Sequence, residues 1–166
     1  TRQIDKKDEK PEEVFQKVQK ANRREMLEEY LLGLVLQTAY QKQMLTKSRD
    51  ILISYKFEIP SIGKIFSELL IALTKEQFNI KSVSNNLSKE LLPTFDKCFL
   101  MPLPKFEDAV IYEEEIIRVA KELRIFHLKN RIKEISKEFK NNTENEREID
   151  KMKEEIAVIT SQIASM

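Results

Sequence analysis

His127 is the only histidine among 166 residues, so its imidazole is the first side chain to test for chemistry. An imidazole holds a metal or relays a proton when a second His, a Cys or a carboxylate partner stands at a fitting spacing. No second His or Cys lies at ligand spacing from His127, so a structural or surface role is expected, with neither a zinc site nor a catalytic pair. The single cysteine, Cys98, has no partner for an internal disulfide. Its place in the apolar run Cys98-Phe99-Leu100-Met101 predicts a packed thiol and a reducing compartment. Gly33 and Gly63 are the only glycines, thirty residues apart, and this leaves no glycine-rich loop whose N–H groups would cradle phosphate. The carboxylates of Glu113, Glu114 and Glu115 would do acid–base work only in an enclosed pocket. On a charged helix start they are expected to be solvated and to suit the helix dipole, as Lys137 and Lys140 do near its end. Lys129, Arg131, Lys133, Lys137 and Lys140 form a basic series that could touch nucleic acid. Interleaved Ile and Glu make a salt-bridged helix face the expectation instead, and direct nucleic-acid binding is not expected.

The elements that must carry these residues follow from composition and period. Charged residues make up 34% of the chain and hydrophobic ones 41%, against 2 Gly and 5 Pro, a balance poor in turn formers that predicts mostly helix. Lys and Arg total 29 and Asp and Glu 28, so no global field gathers a polyanion. No run approaches the ~18 apolar residues of a membrane span and no signal peptide opens the chain, so a soluble, cytoplasmic protein with no membrane contact is expected. Thr1 in place of an initiating Met reads as the start of an excised piece of a longer parent.

Residues 1–23 read as a linker and a short helix, with Pro11 at a first helical position and a small stripe of Val14, Phe15 and Val18. Met26, Leu27, Tyr30, Leu31, Leu34 and Val35 recur at 1, 3 and 4, predicting one face of a helix to about Gln37, with Met26 in the core and Gly33 admitting a close neighbour. Tyr40 to Tyr55 is a less regular helical stretch. Pro60 opens a helix whose Ile62, Ile65, Phe66, Leu69, Leu70 and Leu73 should be central to the core. Asn85-Asn86 and Pro93 divide Phe78 to Met101 into two short helices, and Pro102-Leu103-Pro104 punctuates the chain.

About residues 108–140 contain neither Pro nor Gly, and Ile125, Leu128, Ile132, Ile135 and Phe139 step by 3, 4, 3, 4, the seam of a helix that packs on another helix. Asn141-Asn142 suits a helix end, and Thr143 with Glu146 is a capping-box pattern for a second helix. Ile149, Met152, Ile156, Ile159 and Ile163 repeat the spacing, which predicts an antiparallel hairpin. Residues 118–140 carry eight basic and three acidic side chains, residues 144–166 three basic and six acidic, so the arms complement each other. The distal end of this hairpin, after Glu155, carries no charge. There Ile159, Ile163 and Met166 alternate with Ala157, Thr160, Ser161, Gln162, Ala164 and Ser165. Two readings stand side by side: a surface shielded by another protein, or a fraying terminal helix.

The segment Arg24-Glu25-Met26-Leu27-Glu28-Glu29-Tyr30-Leu31-Leu32-Gly33-Leu34-Val35-Leu36-Gln37 resembles the opening helix of the C-terminal domain of bacterial replicative primases, with the pattern R-E-x-x-x-E-x-L-L-G-L-L-L-Q. Phe57-Glu58-Ile59-Pro60, then Ile65-Phe66 and Leu69-Leu70, resemble that family's next element, and the order of elements is similar over residues 24–166. The resemblance implies a helicase-binding domain. It is all-α, with a multi-helix bundle over 24–107 followed by a long helix and an antiparallel helical hairpin over 108–166. Its partner is the N-terminal domain of the hexameric replicative helicase. In that family the terminal helix carries the contacts, including a Gln that matches Gln162. The expected partner-binding residues are therefore Ile156, Ile159, Thr160, Gln162, Ile163 and Met166, the last departing from a Lys in relatives. The implied chain is not itself an enzyme and holds no cofactor; zinc and magnesium belong to the parent's other domains. Tethering would recruit the parent's primer synthesis to the fork, with the bundle modulating the helicase. The helicase's own N-terminal domain has a similar fold and is the alternative identity, and a helical oligomerisation module is the other, so a monomer or a hairpin-exchanged dimer is expected.

Overall fold

The computed structural model describes the backbone of residues 11–141 and 145–166, and side chains from residue 23 onward within those stretches. The described chain is all-helical: α1 (Pro11–Gln37), α2 (Gln41–Ile51), α3 (Pro60–Leu73), α4 (Ile80–Asn86), α5 (Leu92–Leu100), α6 (Ala109–Asn141) and α7 (Glu146–Ala164). None of these helices is long and apolar enough to cross a membrane.

The expected short first helix and the helix ending near Gln37 are one continuous element of 27 residues. The sequence between them has charge but no breaker, and Glu, Lys, Gln and Ala are good helix formers. Stripe residues Val14, Phe15 and Val18 and the linker Thr1 to Lys10 lie outside the described side chains. Leu27, Leu31, Leu32, Leu34, Val35 and Leu36 are all buried, so α1 is covered on several sides, packing on α5 and α6 and touching α2 and α3. Met26 departs from the expectation, being 68% exposed. It shares a helix row with Gly33 and Gln37, seven and eleven residues on, but the end of α5 covers that row only at the later positions. A Cβ on Gly33 would stand 3.1 Å from the Cys98 carbonyl oxygen and run into the Met101 side chain. Gln37 Nε2 donates to the carbonyls of Cys98 and Met101 at 3.1 and 3.0 Å, satisfying the free end of α5. The close neighbour expected at Gly33 is therefore the C-terminal end of α5.

Helix α2 stops at Ile51, short of Tyr55, and residues 52–59 form a loop. Pro60 starts α3 and, by its ring, holds Ile59 extended at φ −91°, ψ 105°. Ile62, Ile65, Phe66 and Leu69 are buried as expected, with Leu70 and Leu73 half-buried. Phe95 and Cys98 anchor α5, and burial pushes the Cys98 thiol up to about 11, a packed and unreactive group.

With 33 residues, α6 runs for about 50 Å at 1.5 Å per residue. Its first half belongs to the bundle, where Ile116, Val119, Ala120 and Leu123 join the main core. Its second half and α7 form a separate small core of Leu128, Ile135 and Ile159, with Ile132, Met152, Ile156 and Ile163 packed against it. The helix that carries the hairpin is thus shared with the bundle, and the passage from one core to the other falls between Leu123 and Leu128. Glu113 and Glu115 are tied across the bundle, contrary to the solvated role expected. Glu113 pairs with Lys47 of α2, and Glu115 accepts from Tyr30 of α1 at 3.1 Å and from both Nε and Nη2 of Arg118 at 2.8 Å. Helix α6 begins at Ala109, capped by Asp108, whose side chain accepts from Ile111 N–H at 2.9 Å. The three glutamates therefore sit one turn inside the helix, Glu113 and Glu115 facing neighbours and Glu114 exposed.

Candidate functional site

The hairpin is built by period. Along α7 the residues withdrawn from solvent are Ile149, Met152, Ile156, Ile159 and Ile163, the seam spacing expected from sequence. The chain turns into α7 later than the capping box suggests. Asn145 is extended (φ −117°, ψ 101°) and its side chain accepts from Arg147 N–H at 3.2 Å, so it takes the capping role expected of Thr143, which lies outside the described residues. Arg131 Nε donates to Glu155 at 3.0 Å, the one ion pair across the arms among the described residues.

Registration of the arms relocates the uncharged end. Arg131 meets Glu155, and Ile159 meets the level of Leu128, so continuing antiparallel brings residues 163–166 beside the stretch of α6 that enters the bundle. The charge-free end lies at the base of the hairpin, next to the bundle, and the charged residues 146–155 lie toward the turn. Of the six expected contact residues, Ile156, Ile159 and Ile163 face the seam, Ile159 being only 6% exposed. Thr160, Gln162 and Met166 are exposed. The Thr160 hydroxyl donates back to the Ile156 carbonyl at 2.7 Å, leaving Gln162 and Met166 with polar and thioether groups toward solvent. Val158, four residues before Gln162 and 56% exposed, joins them on the outward side. It was absent from the expected set because its signal is a negative one: an aliphatic residue off the seam period.

Under the hairpin base lies a buried polar clamp. Arg24 and Glu28 continue the α1 row of Leu31 and Val35, stepping by 4, 3, 4, which aims both charges inward. Glu28 is fully buried. Its carboxylate accepts from the Tyr55 hydroxyl at 2.6 Å and from the N–H groups of Glu58 and Ile59 at 2.7 and 2.9 Å. Arg24 donates from Nε to the Tyr55 hydroxyl at 2.9 Å and from Nη2 to the Lys56 carbonyl at 2.8 Å, while Nη1 meets Glu58 at 2.7 Å. Burial pushes the Glu28 carboxyl above its usual range against the pull of these donors, and burial with the Glu28 bond raises the Tyr55 hydroxyl. The clamp fastens the 52–59 loop and the free N–H groups at the start of α3 to α1.

His127 lies half-buried on α6 beside this clamp, its ring 5.8 Å from that of Tyr55. Among the described residues, no group of three His, Cys, Asp or Glu stands where it would hold a metal ion. No known protein family, curated protein or solved structure matches the chain.

Proposed function

We propose that the chain is a protein-docking module, the helicase-binding domain of a bacterial replicative primase, which attaches its parent to the N-terminal domain of the hexameric helicase. The observation that carries this reading is the hairpin. It has a small core of its own and an outward side free of charge from Ile156 to Met166, on a chain whose Arg24–Gln37 segment resembles that family. A short charge-free helical surface is suited to burial against another protein. In this reading the chain makes and breaks no bond and needs no cofactor. It acts by tethering, which raises the local concentration of the parent's active site at the unwound strand.

The seam residues are poor probes of docking, since changing Ile159 disrupts the hairpin itself. Val158→Asp and Gln162→Ala change the outward side and leave the seam alone. Calorimetric titration of the whole chain into the helicase N-terminal domain from the same organism is expected to give saturable binding. Val158→Asp should weaken it at least about ten-fold, about 1.4 kcal/mol, at an unchanged melting midpoint. Absence of binding by the unaltered chain would sink the helicase reading. Undiminished binding by both variants would remove the contact from α7.

A further inference from the structure

Between α1, the 52–59 loop and the part of α6 that leaves the bundle lies a cavity of about 410 Å³, within the ~300–1,000 Å³ range of small-molecule sites. Its lining includes Arg24, Ser54, Lys56, His127, Asn130 and Arg131, with Phe57 as an apolar wall. Two carboxylates also line it, Glu58 and Glu134, and each sits on a guanidinium. Glu58 meets Arg24 Nη1 at 2.7 Å and is half exposed; Glu134 meets Arg131 Nη1 at only 3.5 Å and is 65% exposed, while Glu155 of α7 holds Arg131 Nε at 3.0 Å and stays in place. Glu134 is placed as a counterion that solvent can take back, because an exposed ion pair is worth little; Glu58 reaches the buried Arg24 guanidinium from a half-exposed position, where an incoming anion can replace it. Lys56 makes no ion pair among the described residues.

The charges that act on His127 report the local field. Burial lowers its proton affinity, and Arg124, Arg24 and Lys56 lower it further, with Glu134 opposing them. Cations thus converge on this recess from α1, from the loop and from α6, on a chain whose net charge is only +1. The loop is held there under strain. Ser54 has φ 60°, a left-handed conformation unfavourable for a residue with a Cβ, and the Arg124 guanidinium donates to the adjacent Ile53 carbonyl.

We propose that this recess is a binding site for a phosphate-type oxyanion, which displaces the Glu58 and Glu134 carboxylates from Arg24 and Arg131 and takes further donors from Lys56, His127 and Asn130. Displacing the two carboxylates frees the Nη1 donors of Arg24 and Arg131, which offer charge-assisted hydrogen bonds to such an anion. A phosphoester would lay its organic part on Phe57, whereas free phosphate would use the cations alone. The site does not depend on the docking role of the hairpin, so either can fail without the other.

Because His127 is the only histidine, its imidazole resonances give a single-site titration. Inorganic phosphate and phenyl phosphate, each against chloride at equal ionic strength, are the probes. Binding is expected to saturate and to raise the proton affinity of His127 at least about five-fold, with protonation of His127 tightening the anion by the same factor. Lys56→Gln, a change on an exposed loop, should weaken the anion several-fold while preserving the fold, and Arg131→Gln should do so more strongly. Tighter binding of phenyl phosphate assigns a phosphoester; equal binding assigns free phosphate. A His127 titration curve that is the same in phosphate and chloride would overturn the proposal, as would undiminished binding by both variants.

Discussion

Replacing Glu28 by alanine removes the acceptor on which three donors of 2.6 to 2.9 Å converge. Of these donors the Tyr55 hydroxyl stays held, since it still accepts from Arg24 Nε, and Arg24 itself keeps Glu58 and the Lys56 carbonyl. The N–H groups of Glu58 and Ile59 have no such alternative and are left facing a void. Two orphaned backbone donors cost about 1–3 kcal/mol each. A buried acid removed from beside its arginine costs about 3–5 kcal/mol in comparable settings. The two routes agree on about 4 kcal/mol, which in a chain of this size lowers the melting midpoint by roughly 8–16 °C. Glu28→Gln keeps one acceptor oxygen and gives up a charge that burial disfavours, as the raised affinity of this carboxyl for its proton indicates. It should cost about half as much. Urea unfolding followed by far-UV circular dichroism measures both, and if the alanine variant fails to fold the glutamine variant carries the test. A loss below about 1 kcal/mol for alanine, or a glutamine variant as damaged as the alanine one, would refute the claim that these bonds hold the loop to α1.

Gly33→Ala should destabilise by about 1–3 kcal/mol despite alanine's better helix propensity, because the new methyl meets the Cys98 carbonyl; a melting midpoint at or above that of the parent chain would contradict the close crossing of α1 and α5. Ser48 is fully buried on α2 and its hydroxyl has no hydrogen-bond partner among the described residues, so Ser48→Ala is expected to be stabilising by about 1 kcal/mol, read from the denaturant midpoint. For pH, the sign at His127 follows from its lowered proton affinity in the folded state. The unfolded chain binds the proton more readily, so this group's contribution is complete above about pH 6.5 and declines as pH falls below that value toward the folded pKa. In chloride buffer, His127→Gln should flatten that part of the stability profile, measured by urea unfolding from pH 5 to 8.

Hairpin seams were the most legible part of the sequence because burial there has one cause. Ile149, Met152, Ile156, Ile159 and Ile163 face a single neighbour, so a single period records it. Helix α1 was harder. With neighbours on several sides its apolar residues do not form one stripe, and Leu32 and Leu36 are buried outside the face that period alone selects. Arg24 and Glu28 lay in the inward row in plain view, yet charge reads as solvent unless its row is followed. Their partners, Tyr55 and the N–H groups of Glu58 and Ile59, stand about thirty residues away on a loop that local pattern extends as helix. The residues proposed to dock mix both cases: seam positions announce themselves by spacing, while the outward Val158 and Gln162 obey no repeat. Which end of α7 lies at the hairpin's base required only counting back from the turn.

One continuous α6 makes the protein a lever. Leu123 is its last fully buried residue in the bundle core, and from there to Asn141 the helix extends about 27 Å. A tilt of about 10° at that root would carry the turn through about 5 Å, with no hinge in the arm to absorb it. The clamp and the cationic recess sit at the fulcrum. Small changes of charge there are therefore magnified at the far end, and a load applied to the hairpin is returned to α1 and the 52–59 loop.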